Sequence, residues 1–485
     1  MISEQDVIKQ VPKKLFIDGQ WTTSTSNTTF EVQDPATGKS LCEVADGNDQ
    51  DALLALDACE RAQKSWSKYP PRQRGEILRH GYEQIIERSD YLATLMTLEM
   101  GKPFQESKAE IVYAAEFFRW FSEEAVRIDG RFAVAPNGNG RLLTMRQPVG
   151  PSLLITPWNF PLAMATRKMG PAIAAGCTMV VKPASLTPLC TLAVTQILQE
   201  VGLPEGVLNV ITTSSSSKTT KVLFDDPRLR KMSFTGSTEV GRTLMSAASK
   251  NVLKISMELG GNAPFLVFED ADLDAAVEGA VIAKMRNIGQ ACTAANRFHV
   301  ASSIAKEFSE KLAQRLETMK VGGGLEDGVE VGPLINQDAI DKTKSLVEDA
   351  IGKGGQVLTG AKQLDRGGYF YQPTVISNVA RDAKVLQEEI FAPVAPIVSF
   401  DSEQQAIEMA NDTPFGLVAY VFTKDLERSF RVAEELQVGM LGLNQGMVSN
   451  PAAPFGGVKL SGIGREGGYE GIDEYLETKY IAMKI

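Results

Sequence analysis

Histidine, cysteine and positive charge are all scarce in this chain. Two histidines, His80 and His299, stand among 485 residues. That is too few for an imidazole-built zinc site, so no metal is expected. The five cysteines (Cys42, Cys59, Cys177, Cys190, Cys292) are odd in number and form no C-x-x-C pair. Such usage points away from a disulfide framework and toward a reduced, cytoplasmic protein. Asp and Glu outnumber Lys and Arg by 60 to 50, for a net charge of -10. A nucleic-acid surface needs a basic stripe and is therefore not expected, although a pocket can still be locally basic. No apolar run is long enough to span a membrane, and MISEQDVIKQ carries acids where a secretory leader needs an apolar core. An anionic small-molecule substrate stays open.

What is present is ordinary globular text, 43% hydrophobic and 23% charged, in a chain long enough for two or three domains. Residues 1–45 read as short strands and turns. Helical apolar spacing covers about Asp49 to Trp66, then 72–88, and continues to about Ser122. From 150 onward strands alternate with helices: strands at 152–156, 178–182, 207–212 and 231–236, helices at 162–175, 187–202 and 218–224. Short-linked alternation predicts βαβ units and a doubly wound, Rossmann-like parallel sheet. A second α/β region follows from about Gly260 to 450, with strands at 395–400 and 418–423. The final ETKYIAMKI reads as an exposed terminal strand, open to pairing with another subunit. No internal repeat is present, and SSSS at 214–217 is the one low-complexity stretch.

Several loops between these elements carry chemistry. GIGREG (462–467) satisfies G-x-G-x-x-G, but no strand of a βαβ unit precedes it, so it reads as a glycine-rich loop. FTGSTEVGR (234–242) is better placed: Gly236 permits a tight turn where a helix N-terminus offers N–H groups to a phosphate, with Ser237 or Thr238 as cap. VVKPAS (180–185) puts Lys182 at a strand end facing the same crevice, and Ser185 beside it suits a ribose 2′-phosphate. TPWNFP (156–161) holds Asn159 on a rigid turn, where its amide can donate to a developing oxyanion. MELGGNAP (257–264) sets Glu258 at a strand end as a partly buried candidate base, and QEEIFAP offers Glu389 and Phe391. Cys292, in IGQACTAANRF, is either a compact buried hydrophobe or a nucleophile.

Taken in order, TPWNFP, KPAS, FTGSTEVG, ELGGNAP, GQACTAANR, EEIFAP and PFGGVKLSGIGREG resemble the aldehyde dehydrogenase superfamily over roughly residues 12 to 485. The resemblance implies an α/β fold: a Rossmann-like cofactor domain (1–125 and 149–258), an α/β catalytic domain (259–448) and a small β oligomerisation element (126–148 and 470–485). It implies Cys292 as nucleophile, forming a thiohemiacetal whose oxyanion is held by Asn159 and the Cys292 N–H. Hydride then leaves for a nicotinamide, and Glu258 activates water to hydrolyse the thioester. A helix N-terminus or a nearby charge is expected to lower the thiol pKa. Thr156, Trp158, Lys182, Ser185, Gly236, Ser237, Glu389 and Phe391 fall on cofactor-binding positions. Lys182 with Ser185 resembles members that prefer NADP, with NAD as the alternative. Ala392 stands where the family usually has glycine.

The C-terminal text and KMRNIGQACTAANR resemble the succinate-semialdehyde dehydrogenase branch, in which two arginines and a serine grip the substrate carboxylate. Those roles fall on Arg167, Arg286 and Ser449. Guanidinium groups suit a carboxylate through charge-assisted, bidentate hydrogen bonds and make little sense for an alkyl aldehyde. Glutarate semialdehyde is the alternative substrate, since one methylene is worth only about 1–3 kcal/mol. A silent binding protein would have lost Cys292, Glu258 or Asn159, and a cysteine hydrolase would need a histidine partner. Two departures stand out: Ala294 removes a second cysteine near Cys292, and Thr213 replaces the usual glycine beside the adenine wall of the cofactor cleft. A homodimer or homotetramer is the expected assembly.

Overall fold

In a computed structural model that describes residues 3–484, the alternating text after residue 150 folds as parallel βαβ units. Leu208–Val210, Met179–Lys182, Ser152–Ile155, Lys231–Thr235 and Lys254–Glu258 lie side by side in that spatial order, every neighbouring pair parallel. The first four strands are buried along their whole length, as strands covered by helices on both faces must be. Antiparallel additions complete eight strands: Leu15–Ile17 with Gln20–Thr22 at one edge, Gly462–Ile463 at the other.

A second sheet has seven strands, in the order Gln356–Thr359, Thr374–Ser377, Val394–Phe400, Ala295–Ala301, Ala263–Val267, Val418–Phe422 and Met440–Leu443. All its pairs are parallel except the one at the Gln356–Thr359 edge. Its core is aromatic: the Phe265 ring stands 5.1 Å from Phe298 and 5.0 Å from Phe422. Such pairs add dispersion to the burial of large apolar area. The first sheet packs instead on helices, with Phe104–Glu124 laying Phe117, Phe118 and Phe121 against Ala163–Ala175.

Three elements differ from the sequence reading. Residues 1–45 contain a helix, Glu4–Gln10, as well as strands; the Ser3 hydroxyl accepts from Asp6 N at 3.2 Å. Seven residues that bury only Val7 carry too little periodicity to register. The terminal strand Leu476–Met483 is not unpaired: it runs antiparallel to Arg141–Pro148, which also pairs with Arg131–Val134. Only its outer edge is open. The SSSS stretch is structured, its last two serines opening the helix Ser216–Asp225.

GIGREG is a packing motif. Gly462 pairs with Glu258, and a Cβ at Gly462 would sit 1.9 Å from the Met257 carbonyl, so only glycine allows this approach. Among the described residues no helix is long and apolar enough to cross a membrane.

Candidate active site

Parallel strands deliver their loops to one side, and the candidate residues collect there. Ser152–Ile155 leads into Trp158 and Asn159, Lys231–Thr235 into Gly236 and Ser237, and Lys254–Glu258 ends on Glu258 itself. Facing them, the second sheet supplies Cys292, Glu389 and Phe391. Trp158, Asn159, Gly236, Cys292, Glu389 and Phe391 share the wall of one cavity of about 350 Å³. Ser237 reaches it too, but its hydroxyl accepts from Val240 N as the cap of Thr238–Ser249.

The turn that presents Cys292 is strained and braced. After the helix Leu273–Met285, Asn287 and Ile288 both take positive φ, 54° and 61°. Such residues cost roughly 1–3 kcal/mol each and persist only when their surroundings hold them. Asn287 N donates to the Glu106 carboxylate at 2.6 Å, and Asn287 Nδ2 donates to the Asn159 carbonyl at 2.9 Å. Asn159 Nδ2 donates to the Gln290 carbonyl at 2.9 Å, which leaves its second N–H free. Lys102 Nζ donates to the same Asn159 carbonyl at 3.0 Å. Gly261 completes the support, since a Cβ there would lie 2.6 Å from the Cys292 carbonyl.

The thiol does not behave as expected from sequence. Cys292 stands half-buried at the cavity wall, yet burial of its sulfur pushes the thiol up to about 12. The Glu389 and Glu258 carboxylates push the same way, and the pull of Arg167 and Arg286 does not offset them. Glu258 is fully buried, not partly, at 3% exposure. Burial, reinforced by the neighbouring Glu466, raises its carboxyl well above the usual range. Glu466 would rise by burial too, but its ion pairs with Lys168 and Arg167 hold it down. Glu258 Oε2 has no hydrogen-bond partner among the described residues.

Arg286 and Ser449 do come together: Arg286 Nη1 donates to Ser449 Oγ at 3.1 Å. Both line a second cavity of about 690 Å³, and Phe160 stands in the wall of both cavities. Arg167 approaches the same Tyr113 ring as Arg286, and its Nε and Nη1 have no hydrogen-bond partner among the described residues. It is 1% exposed and does not line that funnel; its Nη2 donates to the Tyr113 hydroxyl at 2.7 Å, and its guanidinium lies 4.1 Å from the Phe455 ring centroid.

On the other flank, Lys182 ends its strand in register with Ile155, and its carbonyl accepts from Thr156 N. Lys182 is 6% exposed, burial pushes its ammonium down to about 8, and Nζ donates to Ser216 Oγ at 2.8 Å. A buried ammonium held only by a hydroxyl is a receptor for an anion. Ser185 is half-buried three residues on, and the Thr156 and Thr235 hydroxyls have no partner among the described residues. Glu389 accepts from Gly261 N at 3.1 Å, and the Phe391 ring meets Trp158 edge-on at 5.6 Å. Polar groups of this kind around an apolar cleft fit a nucleotide cofactor. Among the described residues no group of three acidic, histidine or cysteine side chains could hold a metal.

The model of the aldehyde dehydrogenase family matches residues 21–481. The chain belongs to the aldehyde dehydrogenase family. It is 55% identical over 443 residues to a succinate-semialdehyde dehydrogenase of Paenarthrobacter nicotinovorans, covering 91% of this chain and 98% of that one. It is 47% identical over 473 residues to a glutarate-semialdehyde dehydrogenase of Pseudomonas putida, covering 98% of each. A solved structure of an NADP-dependent enzyme from E. coli superposes with a TM-score of 0.97 at 47% identity, again covering 98% of both chains.

Within this aldehyde dehydrogenase fold, Tyr113, Ser216 and Glu466 reach the site without having been singled out in the sequence. Tyr113 and Glu466 sit in unremarkable helical and glycine-rich text. Ser216 had a signal, the serine run at 214–217, but its contact with Lys182 spans 34 residues.

Proposed function

We propose that the protein oxidises succinate semialdehyde to succinate with NADP as preferred acceptor and NAD as the alternative. The observation that carries the substrate assignment is the Arg286–Ser449 pair in a funnel that shares the Phe160 wall with the Cys292 cavity. A guanidinium and a hydroxyl that already meet can close on one carboxylate, and the relative at 55% identity bears that substrate's name. Glutarate semialdehyde is the second reading, favoured by the 47% relative and by a funnel of about 690 Å³.

Cys292 attacks the aldehyde carbon, and the free Asn159 N–H with the Cys292 backbone N–H receives the oxyanion. Because the thiol starts protonated, a base must take its proton as the C–S bond forms. Glu258, made more basic by burial, is suited to that and to deprotonating the water that hydrolyses the thioester. Lys182, Ser185 and Gly236 would hold the nucleotide phosphates and ribose, with Thr156, Trp158, Ser237, Glu389 and Phe391 around the remainder. When bound, the nucleotide supplies the acceptor for the hydride that turns the thiohemiacetal into a thioester.

We group 1–125 and 149–258 as the cofactor unit and 259–448 as the catalytic unit. The open strand edge of Leu476–Met483, and the exposed Phe132 and Val134 on the strand at the opposite edge of the same three-stranded sheet, support assembly as a dimer or tetramer through 126–148 and 470–485. Five free cysteines favour the cytoplasm.

The test is initial-rate cofactor reduction with succinate semialdehyde, glutarate semialdehyde and butanal, using NADP and NAD in parallel, beside Arg286→Ala. The variant is expected to lose at least tenfold in kcat/KM for the two carboxylate-bearing aldehydes alone, as removal of a charged hydrogen bond implies. A wild type that prefers butanal would sink the assignment.

A further inference from the structure

We propose that Lys102 and Glu110, a buried ion pair, are the positioning residues that hold Asn159 in place as oxyanion donor. This rests on the oxyanion reading of Asn159 above and assigns the groups that fix its backbone.

Asn159 lies after the strand Ser152–Ile155 and before the helix Ala163–Ala175, in a stretch that belongs to neither. A side chain on such a stretch is only as well placed as the contacts that hold its main chain. The text MGKPFQESKAE (100–110) supplies them. The helix Ser89–Met100 stops at Gly101, whose φ of 91° glycine adopts without strain, and Phe104–Glu124 begins after Pro103. The short link turns Lys102 into the interior, and Glu110 follows on the buried face of the second helix.

The two side chains pair with each other and divide the Asn159 turn between them. Lys102 Nζ donates to the Asn159 carbonyl at 3.0 Å and stands 4.2 Å from the centroid of the Phe160 ring. Glu110 Oε1 accepts from Leu162 N at 3.2 Å and from Ala163 N at 3.1 Å. The helix Ala163–Ala175 has no capping side chain of its own, and Glu110 takes that place. One ion pair thus grips the Asn159 carbonyl, the Phe160 ring and the amides of Leu162 and Ala163. Lys102 Nζ makes no further hydrogen bond among the described residues. The other lone pair of the Asn159 carbonyl goes to Asn287 Nδ2, on the turn that carries Cys292. With its main chain held from both sides and its amide donating to the Gln290 carbonyl, Asn159 has one N–H left, and the clamp sets where it points. A buried ion pair gives little stability over apolar groups of the same size, so its value here lies in fixing one arrangement.

The test uses Lys102→Met together with Glu110→Gln, which removes both charges and keeps an acceptor for Leu162 N and Ala163 N. Lys102→Met alone strands a carboxylate in the interior and endangers the fold. In the double variant, kcat and the single-turnover rate of cofactor reduction should fall about ten- to hundredfold on succinate semialdehyde and butanal alike, because a displaced donor weakens the transition state. KM should stay within about threefold, the ground state making no use of that donor. Alkylation of Cys292 by iodoacetamide, which forms no oxyanion, should stay within about twofold of wild type. In an Asn159→Ala background, with no donor left to position, the same pair of substitutions should change the rate by less than about twofold. A full further loss in that background, or slowed alkylation, would make the ion pair a general support of the site and overturn the proposal. So would a double variant with the wild-type rate while Asn159→Ala is slow; there the oxyanion reading survives. Asn159→Ala with the wild-type rate overturns both.

Discussion

The Arg286 guanidinium and the Ser449 hydroxyl stand 3.1 Å apart although 163 positions separate them. One follows the helix Leu273–Met285 and the other follows the strand Met440–Leu443 at the far edge of the same sheet. The contact joins the turn that carries Cys292 to the C-terminal loop, so a carboxylate bound there is held relative to the thiol.

The state of that thiol is open to direct titration. Iodoacetamide should alkylate the free enzyme slowly at pH 7 and progressively faster above pH 9, because burial holds Cys292 near 12. Glu389 is the largest charge acting against ionisation, so Glu389→Gln should speed alkylation at any fixed pH. A thiol that reacts fully at pH 7 in the nucleotide-free enzyme contradicts this.

Lys182→Ala should weaken binding of 2′,5′-ADP about ten- to hundredfold and that of 5′-AMP much less, read by calorimetry without turnover. The reason is the ammonium at the strand end, whose hydrogen bond goes to Ser216 and not to a carboxylate. Equal weakening of the two ligands would place Lys182 elsewhere in the nucleotide site.

Gly261→Ala should cost about 1–3 kcal/mol in denaturant unfolding and most of the activity. The added methyl meets the Cys292 carbonyl at 2.6 Å, backbone that can yield only by moving the nucleophile's turn. Full activity would mean that turn is not held by this contact.

His299 gives a pH signature. It is buried in Ala295–Ala301 with neither ring nitrogen bonded among the described residues, and burial, with Arg297 and Arg381, holds it well below 6.5. The unfolded chain takes up a proton near pH 6.5 that the folded chain refuses. His299 therefore costs stability as pH falls below 6.5, by about 1.4 kcal/mol per unit. Buried acids such as Glu99, raised to about 7, act with the opposite sign: their folded form loses stability as pH rises from 4.5 toward 7. The difference in slope between wild type and His299→Gln from pH 5 to 6.5 isolates the imidazole. Parallel slopes would refute the assignment.

Much of this was legible in the sequence because it is local. Strand-ending loops such as TPWNFP and ELGGNAP carry their chemistry within six or seven residues, and strand–helix alternation with short links leaves a parallel sheet as the one easy solution. The helix Glu4–Gln10 escaped notice because its stability comes from a cap and one buried valine, not from periodicity. The protonation of Cys292 and the full burial of Glu258 were misjudged because desolvation depends on atoms from both sheets, which no motif counts.

Sequence alone determined the residue types and the turns that present them: a cysteine after a glycine turn, an amide between aromatics, a carboxylate before paired glycines, a lysine at a strand end. Only the tertiary structure decided which groups act on one another. Arg167 looks equivalent to Arg286 in the chain, yet it is buried and bonded to the Tyr113 hydroxyl while Arg286 lines the funnel. That ordering comes from packing Phe104–Glu124 against Ala163–Ala175, a contact between helices some 50 residues apart that brings the Tyr113 hydroxyl to Arg167 Nη2. Hydrogen bonding and desolvation follow distance in space, and distance in space is what a linear string leaves out.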